Sequence, residues 1–179
     1  MYLARDMELG TFWAIKQLPL SMKKEAELLR RLNHSSLPRM TDYTEQDDKC
    51  YLVMEYIKGK SLNEYLKTNN LLSFEEILTI TRTILQIFQY LHSQKPPIYY
   101  GDLKPENLMR TETGKIYLVD FGSALYSYGT VRKNIKGTKG YAAPEQYQGI
   151  LTAASDFYAL GKTIQQLCGS CLLYTSPSP

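Results

Sequence analysis

The stretch Asp102-Leu103-Lys104-Pro105-Glu106-Asn107 decides how this chain is read. It sets an acid, a cation two residues on and an amide five residues on in one short loop. Asp120-Phe121-Gly122 follows eighteen residues after the acid, directly behind an apolar strand over 116–119. A carboxylate at a strand end, followed by glycine, is well placed to hold a divalent metal, and Asn107 offers a second hard oxygen. Asp102 is then suited to accept a proton from a hydroxyl nucleophile. Lys104 is suited to neutralise charge on a moving phosphoryl group.

Upstream of this loop the pattern changes twice. Residues 1–5 and 11–17 read as two strands across a Glu8-Leu9-Gly10 turn, with β-propensity carried by Phe12, Trp13 and Ile15. A helix is expected from Ser21 to about Asn33, with Ala26, Leu29 and Leu32 inward. Strands near 39–45 and 49–56 flank an Asp47-Asp48 turn. Beyond Gly59 the chain turns helical. Ser61-Leu62-Asn63-Glu64 and Ser73-Phe74-Glu75-Glu76 are capping boxes. The second opens a longer helix to about His92, with Phe74, Ile77, Leu78, Ile84, Leu85, Phe88 and Leu91 toward the core, and Pro96-Pro97 stops it. Residues 122–142 read as a long loop, and 156–168 as another helix. The expected division is a small β-rich lobe over 1–55 and a helical lobe over 56–169, with a small-molecule cleft between them.

Composition removes other function classes. Of 179 residues, 44% are apolar and 22% charged, which is average globular usage and excludes disorder of the whole chain. A net charge of +3 is too small an excess for a nucleic-acid binder. No run of eighteen apolar residues is present, so no membrane segment is expected in this chain. Cys50, Cys168 and Cys171 are an odd count, which points to a reducing compartment and a cytoplasmic location. The Cys168-x-x-Cys171 spacing has no second pair to complete a metal site and reads as chance. His34 and His92 are isolated in the sequence, and a solvated or capping role is expected of His34.

Four motifs in order carry a resemblance. Trp13-Ala14-Ile15-Lys16 is similar to V-A-I-K, Tyr100-Gly101-Asp102 through Asn107 to H-R-D-L-x-x-x-N, Asp120-Phe121-Gly122 to D-F-G, and Ala143-Pro144-Glu145 to A-P-E. Over roughly residues 1 to 169 the chain resembles a eukaryotic-type Ser/Thr protein kinase catalytic domain, and the run Gly140-Tyr141-Ala142-Ala143-Pro144-Glu145-Gln146-Tyr147 leans toward bacterial members. The resemblance implies an α+β, two-lobed protein-kinase-like fold. It also implies transfer of the ATP γ-phosphate to a protein Ser or Thr hydroxyl, with magnesium. Asp102 would be the base, Lys104 would contact the γ-phosphate, and Asn107 and Asp120 would hold Mg2+. Lys16 would contact the α- and β-phosphates. Met54 would back the adenine pocket, Glu55 and Ile57 would bond the base through their backbone, and Ala14 would pack on its face. Thr138 resembles the loop threonine that contacts the catalytic Asp and Lys. Glu145 and Asp156 resemble structural acids, the latter anchoring the catalytic loop.

The partner of Lys16 follows from helix geometry. Glu25 shares a face with Leu29, an inward position, whereas Glu27 shares a face with Arg31, which belongs in water. Glu25 is therefore the expected partner. The competing reading, a solvated helix carboxylate, stays open on sequence alone.

Three departures from the family pattern carry expectations of their own. Tyr100-Gly101 stands where the family has His-Arg, which removes the cation that would bind a phosphorylated activation loop. Activity independent of phosphorylation at Tyr126, Ser127, Tyr128 and Thr130 is the expected consequence. No Gly-rich loop precedes Tyr2-Leu3-Ala4, and residues 170–179, rich in Ser and Pro, match no element of the family. A fragment with both lobes incomplete is expected on that account. Two other functions compete with the kinase reading: a catalytically inactive kinase-fold scaffold, and a small-molecule phosphotransferase of similar fold.

Overall fold

The structure, a computed structural model, describes residues 1–68, 71–127 and 137–172, with side chains through Gly169. It opens with a four-stranded antiparallel sheet in the order β1-β2-β4-β3: β1 is Tyr2–Arg5, β2 Phe12–Pro19, β3 Met40–Gln46 and β4 Lys49–Glu55. The β1–β2 turn closes on Gly10 at φ +68°, and Asp6 caps it by accepting from the N–H groups of Glu8 and Leu9. In the central pair Ala14 lies opposite Met54 and Lys16 opposite Leu52. That register fixes which side chains of β2 and β4 share a face.

Between β2 and β3 the expected helix over 21–33 is shorter. A 3-10 turn at Leu20–Met22 leads into α1, Lys24–Leu29. Past Leu29 the bonds contract to the i−3 type, from Arg31 N–H to Leu28 C=O and from Leu32 N–H to Leu29 C=O. The apolar stripe outlasts the helix: Ala26, Leu29 and Leu32 are buried, joined by Leu28.

The remainder is mostly helical: α2 (Leu62–Lys67), α3 (Phe74–His92) and α4 (Ala153–Leu172), with α3 packed along α4. Both capping boxes form, Ser61 with Glu64 and Ser73 with Glu76. The buried stripe of α3 is Ile77, Ile80, Ile84, Ile87, Phe88 and Leu91, while Phe74 and Leu85 are exposed. Phe74 sits in the first turn, outside the packed length. Leu85 lies one position, about 100°, from Ile84 and off the centre of that buried stripe. The loop 122–142 is not wholly irregular. Leu125–Tyr126 pairs with Ile98–Tyr99, while 128–136 lie outside the described residues. A small sheet of Gly59–Ser61, Leu108–Thr111 and Ile116–Leu118 lies beside these helices. The β-rich N-lobe and mostly helical C-lobe implied by the resemblance are thus both present. No helix among the described residues is long and apolar enough to cross a membrane.

Candidate active site

The site starts from a buried acid. Asp156, in the first turn of α4, is fully buried. Its Oδ1 accepts from Gly101 N–H at 2.8 Å and its Oδ2 from Tyr100 N–H at 3.0 Å. His92 Nε2, at the end of α3, lies 2.8 Å from the same Oδ2. His92 is therefore not isolated. It also stacks on Phe88 and meets Tyr99 and Phe157 edge-on. Two helices together pin the backbone that leads into Asp102. His34 Nδ1 accepts from Ser36 N–H at 3.1 Å, in the turn that follows α1, and caps no helix end.

Three expected residues, Thr138, Lys104 and Asn107, meet around Asp102. Oδ1 accepts from Thr138 N–H at 3.1 Å and from the Thr138 hydroxyl at 2.6 Å. Oδ2 accepts from Lys104 Nζ at 2.8 Å, and Lys104 also donates to Thr138 Oγ1 at 2.7 Å. Asn107 Nδ2 donates to the Asp102 carbonyl at 2.9 Å and so closes the loop on itself. A 3-10 turn, Pro105–Asn107, brings the amide back, and the Asn107 carbonyl is tied to Val119 N–H at 2.9 Å. Asp102 is thereby held with one carboxylate oxygen against a hydroxyl and the other against an ammonium.

A second cluster forms at Lys16. Its Nζ lies 2.6 Å from Glu25 Oε1 and 2.7 Å from Asp120 Oδ1. Burial alone would lower the Lys16 ammonium, but Glu25 and Asp120 outweigh it and hold it above the ordinary lysine value. Glu25 is pushed up, because its burial exceeds the pull of Lys16. At Asp120 burial is outweighed by the bond to and charge of Lys16, so this carboxyl stays below its usual value. Asp120 itself sits at φ +62°, an unusual conformation for a residue with a side chain, and it marks a constrained position. Tyr100 supports that point from beneath. Its buried hydroxyl donates to the Val119 carbonyl at 2.6 Å, its ring meets Phe121 edge-on at 5.3 Å, and burial drives its phenol well up.

The Lys16 cluster opens onto a cavity of about 220 Å³. Ala14, Met54, Glu55 and Ile57 line it together with Lys16, Glu25 and Asp120. Leu29, Met109 and Val119 add to the apolar wall and were missed from sequence. The signal for Met109 was its place just past Asn107, in a strand not foreseen there. Glu55 N–H is committed to the Arg39 carbonyl at 2.8 Å, which removes it as a donor to any occupant. Glu145 lies apart from both clusters in its bonding, accepting from the Ser155 hydroxyl at 2.7 Å. Gln146, next to it, was also missed. It is buried and bonds the Gly101 carbonyl. Among the described residues no group of three or more His, Cys, Asp or Glu could hold a metal by itself.

Comparison with known proteins agrees with this geometry. A family model described as the protein kinase domain matches residues 1–178. Serine/threonine-protein kinase B of Synechocystis sp. is 37% identical over 154 residues, covering 79% of this chain and 26% of its own length. Serine/threonine-protein kinase PrkC of Bacillus subtilis is 34% identical, covering 93% of this chain and 28% of its own. Serine/threonine-protein kinase WNK of Caenorhabditis elegans is 31% identical, covering 81% and 8%. The chain spans less than a third of the length of these curated relatives. With the Lys16 and Asp120-Phe121 motifs lining one cavity and the family model matching nearly every residue, this chain belongs to the protein kinase domain family.

Proposed function

We propose that the chain is the catalytic core of a Ser/Thr protein kinase, moving the γ-phosphate of ATP to a Ser or Thr hydroxyl of a protein substrate. One observation carries this reading. The cluster Lys16–Glu25–Asp120 lines one apolar cavity, and the cluster Asp102–Lys104–Thr138 is tied to the wall of that cavity through Asn107 and Tyr100, which bond Val119, and through the contact of Tyr100 with Phe121. The lobes divide near residue 55, and the cavity lies at that division.

The cavity suits a flat base. Ala14 and Met54, opposite each other in the register of β2 and β4, offer apolar contact, and Ile57 follows at the strand exit. Lys16 at the cavity end is held charged, ready for the α- and β-phosphates once it exchanges Asp120 for them. Asp120 and Asn107 suit a magnesium ion, which is usually bound through one or two protein oxygens plus substrate phosphates and needs no full protein cage. Such an ion would spread the negative charge of the transferring group.

The other steps belong to this chain's own side chains. Asp102 accepts the proton of the substrate hydroxyl. Thr138 and Lys104 orient its two oxygens, and Lys104 is near enough to the base to stabilise charge building on the phosphoryl group. Glu145 is structural, tying its segment to α4 through Ser155. Cys50 and Cys168 are free thiols, in keeping with a reducing, cytoplasmic setting.

The test is phosphotransfer by the purified chain from radiolabelled ATP to casein, with and without Mg2+. Metal-dependent labelling on Ser and Thr is expected, reduced about a hundredfold or more in Asp102→Asn with ATP binding retained. ATP binding with no transfer by the wild-type chain would favour the scaffold reading. Labelling of sugars or aminoglycosides in place of protein would favour the small-molecule phosphotransferase.

A further inference from the structure

Gly101, the residue before the proposed base, is held on three sides. Its backbone stands at φ +77°. Its N–H donates to Asp156 Oδ1 at 2.8 Å, and its carbonyl accepts from Gln146 Nε2 at 2.8 Å. A Cβ at this position would lie 3.0 Å from Leu151 Cδ2 and 3.3 Å from the Ser123 carbonyl oxygen. Any L side chain here meets both a left-handed backbone and occupied space. The volume that a side chain at 101 would need is filled by Leu151.

Gln146 is the member of this contact that no motif announces. It is 3% exposed, and both ends of its amide are used. Oε1 accepts from Ala143 N–H at 2.9 Å, and Nε2 reaches the Gly101 carbonyl. Turning the amide over would set donor against donor and acceptor against acceptor, so the bonds fix one orientation. The carbonyl it grips belongs to the peptide that leads into Asp102. The same stretch of chain also holds the Asp102 carboxylate, through Thr138. Residues 138 and 146 therefore take hold of two successive residues, the backbone of 101 and the side chain of 102.

We propose that Gln146 is a positioning residue for Asp102. Its amide locks the Gly101–Asp102 peptide to the segment that ends in Gln146, through neutral hydrogen bonds and with no charged group at position 101. The proposal rests on the kinase reading above. It makes the orientation of the base a built-in property of the fold, set by Gln146, Asp156 and Leu151.

Gln146→Met nearly keeps the side-chain volume and removes the donor. Gln146→Glu keeps an acceptor for Ala143 N–H and removes the donor once the carboxyl ionises. The full chain carrying each is assayed for kcat, for KM of ATP and for Tm, and hydrogen exchange is followed over residues 100–104. We expect kcat of Gln146→Met to fall about tenfold to a hundredfold, the scale set by small misplacement of a reacting group. KM for ATP should hold, since the Lys16 cavity is untouched, and Tm should shift by only a few degrees. Amides in 100–104 should exchange about tenfold faster as the clamp opens. In Gln146→Glu the deficit should deepen as pH is raised through titration of the new carboxyl, and this variant serves alone if the methionine chain does not fold. An unchanged kcat, or a loss that only follows Tm, overturns the proposal. If the wild-type chain transfers no phosphate, the kinase reading fails separately and exchange decides: faster exchange in 100–104 supports the clamp, and wild-type rates overturn it.

Discussion

Lys16 Nζ lies 2.6 Å from Glu25 Oε1, joining β2 to α1 at the back of the cavity, with the Glu25 side chain only 3% exposed. So buried a carboxylate depends on its cation. Removing one partner of a buried pair costs about 3–5 kcal/mol, because the other charge is left uncompensated. Glu25 already stands above its ordinary value of 4.5, raised by burial and held down by Lys16.

Lys16→Met should therefore do more than weaken nucleotide binding. With the cation gone, the folded-state value of Glu25 moves further up, away from the unfolded one. A carboxyl whose folded value is raised binds more protons folded than unfolded, so stability falls as pH rises above 4.5. Thermal melts from pH 4 to 8 should show the gap between wild type and Lys16→Met widening with pH, and Lys16→Met with Glu25→Gln should remove the slope. A gap that stays constant with pH would refute the coupling.

Asp156 anchors the loop through both of its oxygens. In Asp156→Asn one oxygen becomes an NH2 group. If it replaces Oδ2, it faces Tyr100 N–H, donor against donor, and His92 loses its acceptor. A buried donor left unpaired costs about 1–3 kcal/mol. Urea unfolding should show a lower midpoint at unchanged m, and kcat should fall because Gly101 and Asp102 lose their base plate. His92→Phe, which keeps the stack on Phe88 but drops one bond, should cost less. Equal effects from the two variants would show that the backbone bonds to Asp156 contribute little.

What could be read from sequence had local rules behind it. The capping boxes at Ser61 and Ser73 join residues three apart, and both form. The Lys16–Glu25 contact followed from a choice between two faces of one helix, and that choice survives although the helix is shorter than its apolar stripe. Strands of two to four residues, such as Ile98–Tyr99 and Leu108–Thr111, are too short to show a period and exist because a partner strand lies beside them. Gln146 and His92 were hidden for a related reason. Their partners, Gly101 and Asp156, lie 45 and 64 residues away in the chain, and a polar residue in a loop looks the same whether it is solvated or buried. Phe74 and Leu85 show the reverse error, since apolar character at nearly helical spacing does not say where packing stops.

Position 101 also bears on control by phosphorylation. A phosphate on an activation loop orders that loop by pairing with a cation, most effectively an arginine next to the catalytic acid. Here that position is a glycine at φ +77°, with Leu151 where a side chain would project. The segment that approaches Asp102 is already fastened by Thr138 and Gln146 through bonds that need no phosphate. Replacing Tyr126 and Tyr128 with Phe, Ser127 with Ala and Thr130 with Val should thus leave kcat within about twofold of wild type, since no phosphate–cation contact is removed. Phenylalanine at 126 keeps the ring that packs on the core, while Tyr128 and Thr130 lie outside the described residues. The comparison is made on protein expressed with and without phosphatase, with phosphate content read by mass spectrometry. A tenfold or larger loss in the replaced chain, matched by a similar loss in phosphatase-treated wild type, would show that a cation elsewhere has taken over the arginine's role.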